Sequence, residues 1–154
     1  MNVLSVKIVK NYIYSVILSD ASGDISFVKQ DRTTIPPNLD VANLMGFVKT
    51  AGDNLLNGLD ELPNKAIFYK PTSQGVLNET CIQNLMSTGV LVLCCKEKGV
   101  PCELKNKQNL GWKKLGYTSK KTTEQMIADM DSRFSALKPN ADIRLAVAVG
   151  LLVF

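Results

Sequence analysis

Few residues in this chain of 154 could carry acid–base or metal chemistry, and histidine is absent altogether. That removes the commonest general base and the commonest metal ligand together. A Ser-His-Asp or Cys-His mechanism, or a zinc site containing histidine, cannot be built from one copy. The four cysteines, Cys81, Cys94, Cys95 and Cys102, form no Cys-x-x-Cys pair, and their spacing argues against a four-thiolate zinc centre. They read as small buried residues in an apolar helix and the strand after it. Neither Gly-x-x-x-x-Gly-Lys nor Gly-x-Gly-x-x-Gly occurs, which speaks against a standard nucleotide site. Any hydrolytic chemistry would run on carboxylates, lysine or tyrosine. Glu79, Glu103, Asp129 and Asp142 are the acids that could regroup, with Tyr69 as a proton donor, but no spacing singles them out. The expectation is therefore a chain without metal or cofactor.

The second chemistry-bearing feature is a basic segment. Lys105, Lys107, Lys113, Lys114, Lys120 and Lys121 fall in a stretch without an acid, and these six exceed the whole net charge of +4. Trp112 and Tyr117 lie among them. Lysines neutralise phosphates and aromatic faces stack on exposed bases, so the segment is a candidate DNA or RNA contact. The alternative is a solvated loop that Trp112 anchors to the core.

These residues must be held by a fold, and the composition supports one. With 45% hydrophobic and 21% charged residues, the chain is not disordered throughout. Its longest apolar run, Leu145 to Phe154, has ten residues, against the roughly 20 that a membrane span requires. No secretory signal is visible, so the expected location is the reducing cytoplasm. The length and the absence of repeats suggest one domain over 1–154.

Alternation places Leu4, Val6 and Ile8 on one face of a first strand and Val3, Ser5, Lys7 and Val9 on the other. Lys10-Asn11 suits a tight turn, and Tyr12 to Ser19 is rich in aromatic and β-branched residues. After a turn at 20–24, Ile25 to Gln30 is a third strand, and Arg32 to Leu39, with Pro36-Pro37, is a loop. Asp40 caps a helix ended by Gly58, and Lys65 to Lys70 is a short strand stopped by Pro71. Asn78 caps a mostly apolar helix ended by Gly99, and Cys102 to Leu104 is a small strand. Helices are expected at 121–137 and 140–152. The order βββαβαβα predicts an α/β chain with a five-stranded mixed sheet, antiparallel first and parallel later, with helices on both faces.

That order resembles the ribonuclease-H-like superfamily, which includes the RuvC-type Holliday-junction resolvases, and also an uncharacterised bacterial family of the same layout. Three segments carry the likeness: Val3 to Lys10, Leu115 to Lys121 with the following helix, and Asn140 to Ala148. The resemblance implies several carboxylates holding two divalent ions that activate water. It places one acid midway along the first strand, one at the end of the strand after the first helix, and one in the closing helix. Here those positions are Lys7, Tyr69-Lys70 and Asp142. An ammonium repels a cation and offers no lone pair, so a nuclease working by the family mechanism is not expected. Lys7 and Lys70 read either as solvated lysines at strand ends or as members of a cationic cleft. Asp142 reads first as an acid favoured by its helix N-terminus.

Three functions follow from these residues. The first is an inactive RuvC-like module that meets a protein partner or a second copy through the Val90-Leu91-Val92-Leu93 helix or the apolar C-terminus. The second is metal-independent nucleic-acid binding through the 105–121 segment. The third is an enzyme with relocated acids.

Overall fold

The structure, a computed structural model, describes residues 1–9, 11–20, 26–70 and 78–105. Strands β1 (Asn2–Val9), β2 (Tyr12–Ser19) and β3 (Ser26–Thr34) precede helix α1 (Val41–Asn57). Strand β4 (Lys65–Tyr69), helix α2 (Glu79–Glu97) and strand β5 (Cys102–Lys105) follow. The strands form one mixed sheet in the order β3-β2-β1-β4-β5. The first three are an antiparallel meander, while β4 runs parallel to both β1 and β5. The expected helices at 121–137 and 140–152, and the segment from 106 to 121, lie outside the described residues.

The alternation in β1 decides the layers. Leu4, Val6 and Ile8 join Ile13, Ile17, Ala66 and Phe68 on one face, and the buried stripes of α1 and α2 pack there. The α1 stripe recurs every fourth residue as Leu44, Val48, Gly52 and Leu56. At Gly52 the two helices approach so closely that a Cβ would stand 2.8 Å from both Leu91 Cδ2 and Cys94 Sγ. The opposite sheet face is apolar too: Val3, Val16, Leu18 and Ile67 are buried there, with Ser5 among them.

The caps match the sequence. The Asp40 carboxylate accepts from the Asn43 amide at 2.8 Å, and the Asn78 side chain accepts from the Cys81 amide at 2.8 Å. Past α2 the chain reverses at Gly99, whose φ of 74° suits a residue without a Cβ. Cys81, Cys94 and Cys95 are buried free thiols and Cys102 is half-buried. Burial raises the pKa of Cys94, Cys95 and Cys102, so these three stay protonated.

One expectation is corrected. Arg32 to Thr34 was expected in a loop, but β3 continues through them, with Arg32 opposite Tyr14, Thr33 opposite Ile13 and Thr34 opposite Tyr12. Such an edge strand lacks the apolar pattern by which strands are recognised, and its pairing with β2 holds it. Between Ile17/Lys29 and Leu18/Phe27 the register shifts, leaving Val28 as the extra, exposed residue of a bulge. Among the described residues no helix is long and apolar enough to cross a membrane.

Candidate nucleic-acid interface on the sheet

Period two in each strand and the register between strands together select which side chains meet. On the face opposite α1 and α2, Arg32 of β3 stands across from Tyr14 of β2, and Tyr14 stands across from Lys7 of β1. One step beyond the Val6/Phe68 pair, Lys7 meets Tyr69 of β4, which is registered with Lys105 of β5. The result is one row across all five strands, alternating cation and tyrosine: Arg32, Tyr14, Lys7, Tyr69, Lys105.

The contacts within the row are close. The Lys7 ammonium lies 4.9 Å from the centre of the Tyr69 ring. Arg32 lies 5.1 Å from the ring of Tyr12, whose centre is 5.8 Å from that of Tyr14. Tyr14 and Tyr69 are buried, at 4% and 7% exposure. Neither offers a face for stacking, and Tyr69 instead supports the Lys7 ammonium. A ring face attracts an ammonium, and Lys7 is half-buried beside that of Tyr69.

Glu103 is the carboxylate on this face beside the row. Its oxygens pair with Lys105 and, at 2.5 Å, with Lys65. Lys105 first and Lys65 second hold its carboxyl below the usual carboxylate range. Among the described residues, Arg32, Lys7, Lys65 and Lys105 thus share this face with Glu103, which pairs with the last two. Lys70 is exposed just past β4, and its amide donates to the Lys105 carbonyl at 2.7 Å.

Of the residues singled out in the sequence, the structure brings together Lys7, Tyr69 and Lys105, with Lys70 beside them. Lys107, Trp112, Lys113, Lys114, Tyr117, Lys120, Lys121, Asp129 and Asp142 lie outside the described residues. Glu79 is on the first turn of α2 and Glu103 on β5. Arg32, Tyr14 and Lys65 were missed, because their role exists only once the strand register is known.

No family model and no curated protein sequence matches the chain. Solved structures do. RuvC of Thermus thermophilus superposes with a TM-score of 0.76 over 99% of this chain and 92% of that one, at 14% identity. The same protein in complex with a Holliday-junction substrate gives 0.74, over 99% and 91%, also at 14% identity. The yeast mitochondrial Holliday-junction resolvase Ydc2 gives 0.65 at 10% identity, over 97% of this chain and 77% of that one.

The fold is that of RuvC.

At these identities the likeness is one of fold. The RuvC-type resemblance implies a carboxylate at the Lys7 position and another at the end of β4, and the side chains there do not fit a divalent cation. Lys7 carries an ammonium, which has no lone pair for a metal, Tyr69 offers a buried phenol, and Glu103 is already held by two lysines. Among the described residues no group of three or more acids or cysteines gathers to hold a metal.

Proposed function

We propose that this chain uses a RuvC-type fold to bind DNA through phosphate contacts, without cleaving it by the two-metal reaction. The observation that carries this reading is the Lys7–Tyr69 pair, a ring-supported ammonium on the strand pair where the resemblance implies metal-holding carboxylates. An ammonium suits a phosphate oxygen as it suits no metal. Arg32 at one edge of the sheet and Lys105 at the other extend the positive surface. The basic segment 106–121, with Lys107, Lys113, Lys114, Lys120 and Lys121 around Trp112 and Tyr117, adds further phosphate contacts and a stacking surface. A structure of the same fold holding a Holliday junction makes branched DNA the first ligand to try. A protein-interaction role is favoured by a different feature, an exposed apolar stripe on α2.

The test is fluorescence anisotropy with four-way, duplex and single-stranded DNA and with RNA at several salt concentrations, beside an incision assay in Mg²⁺ and Mn²⁺. The expected result is salt-sensitive binding of low sequence dependence, no incision, and no saturable micromolar metal site by calorimetry. Incision that is lost in Asp142→Asn would overturn it. So would failure to bind any of these nucleic acids at low salt.

A further inference from the structure

A cavity of about 290 Å³ lies between the loop that follows β3, the turn at Asn11 and the first half of α2. The Ile35 amide donates to the Asn11 carbonyl at 2.7 Å and ties the loop to the turn. This volume stands at the low end for small-molecule sites, which run roughly 300–1,000 Å³, so the space suits a molecule of one or two rings. Ile35, Leu44 and Ser87 are buried parts of the lining, while Pro36, Pro37 and Glu79 are exposed.

Ser87 is the residue that points to a ligand. It is 1% exposed, yet its hydroxyl has no hydrogen-bond partner among the described residues, whereas its neighbour Thr88 donates to the Asn84 carbonyl at 2.8 Å. A buried hydroxyl left unpaired is costly, and in a cavity wall its partner can come from a bound molecule. The loop side of the lining supplies apolar groups, Ile35, Pro36, Pro37 and Leu39. The α2 side supplies hydrogen-bonding ones, Glu79, Thr80, Gln83, Asn84 and Ser87. A flat ring with apolar faces and a polar edge satisfies both sides. Glu79 is the only charged side chain among the described residues of the lining, so a phosphate or other anion is disfavoured. The Gln83 amide donates to the Glu79 carboxylate at 3.2 Å, and that carboxylate can only accept. An acceptor there favours a base that carries an amino group, as where carboxylates read cytosine.

We propose that this cavity binds one uncharged, amino-bearing nucleobase, adenine or cytosine, as a free nucleoside or as an unpaired base of a strand. The polar edge of the base meets Glu79, Asn84 and the Ser87 hydroxyl, and its faces lie against the apolar loop. Such a base site lies beyond the phosphate contacts proposed above and does not depend on them. The strand-borne source is open to it because of where the cavity lies. The cation–tyrosine row is on the other face of the sheet but crosses it at this same end: Asn11 comes four residues after Lys7, and Ile35 three after Arg32. A strand passing over that end reaches both.

Calorimetric titration with adenosine, inosine, cytidine and uridine tests the cavity without any phosphate. Adenosine and cytidine are expected to bind with dissociation constants on the order of 0.1–1 mM. Inosine and uridine, which lack the amino group, are expected to bind about tenfold more weakly. Ser87→Ala is expected to weaken binding about fivefold, the effect of one hydrogen bond, with an unchanged circular dichroism spectrum. Glu79→Gln, whose amide both donates and accepts, is expected to erase the preference for amino-bearing bases. A second arm compares a DNA hairpin carrying one unpaired adenine with the same hairpin carrying an abasic site there. Nucleoside binding that responds to both substitutions supports the proposal with a free nucleoside as ligand. A preference for the unpaired adenine alone, lost in Ser87→Ala, supports it with a strand-borne base. Binding of neither, binding unaltered by Ser87→Ala, or an amino-group preference that is absent or survives Glu79→Gln would each overturn the proposal.

Discussion

The Lys7 ammonium rests 4.9 Å from the centre of the Tyr69 ring, on the neighbouring parallel strand. Register alone fixes this pairing. A slip of one residue between β1 and β4 would remove Tyr69 from Lys7 and oppose the buried Leu4 face to the wrong side chains. The core on one face therefore holds the cation in place on the other.

Lys7→Met keeps an unbranched stem over Tyr69 and removes the charge. The fold is expected to persist, with circular dichroism unchanged. If Lys7 contacts one phosphate, the slope of log affinity against log salt falls by roughly 0.9 for duplex DNA. Anisotropy titrations at several salt concentrations measure it. An unchanged slope would remove Lys7 from the interface.

The basic segment makes a separate forecast. Lys113→Ala with Lys114→Ala should weaken binding and flatten the slope by roughly 0.7–0.9 for each phosphate these lysines neutralise. Trp112→Ala should leave the slope nearly unchanged and cost single-strand binding about 1–3 kcal/mol of stacking. A lowered melting temperature in Trp112→Ala, with the lysine changes silent, would instead mark Trp112 as an anchor to the core.

Glu103 gives a pH dependence whose sign is fixed by its partners. Lys105 and Lys65 lower its folded-state pKa, so its contribution to stability is complete above the unfolded value of about 4.3. That contribution fades as pH falls through the lowered folded-state value. The carboxylate is 34% exposed, so the effect is held to under about 1 kcal/mol. Denaturant titrations at neutral and acidic pH should show Glu103→Gln losing that acid-sensitive part. The same substitution frees two ammonium groups and should tighten DNA binding.

Two glycines of α1 should respond oppositely to a larger side chain. At Gly46 a Cβ would meet nothing within 4 Å, so Gly46→Ala should raise stability by about 0.5–1 kcal/mol through helix propensity. At Gly52 the same atom would press on Leu91 and Cys94, so Gly52→Val should cost about 1–3 kcal/mol through overpacking. Urea denaturation of both variants measures the contrast. Equal responses would contradict the close α1–α2 crossing.

Much of the fold was legible in the chain itself. The alternation of Leu4, Val6 and Ile8, the caps Asp40 and Asn78, and the stop at Gly99 each depend on neighbours within a few residues. Lys7 stood out as a lysine on a strand whose resemblance implies an acid, and a single strand sufficed to see it. The end of β3 was not legible. Arg32, Thr33 and Thr34 are polar and precede two prolines, so only hydrogen bonding to β2 makes them strand.

The tyrosine–cation row shows the same division. Arg32, Tyr14, Lys7, Tyr69 and Lys105 come from five strands spread along most of the described chain, and no local pattern links them. Helix α2 is the complementary case. It is apolar on both sides, so periodicity could not tell which side faces inward. The packing of Leu91 and Cys94 against Gly52 decided that and left Ile82, Met86 and Leu93 in water. Sequence determined what each segment is, because helix and strand periods and caps are short-range. Tertiary structure decided which residues meet and which faces stay open, because register and packing are set between segments far apart in the chain.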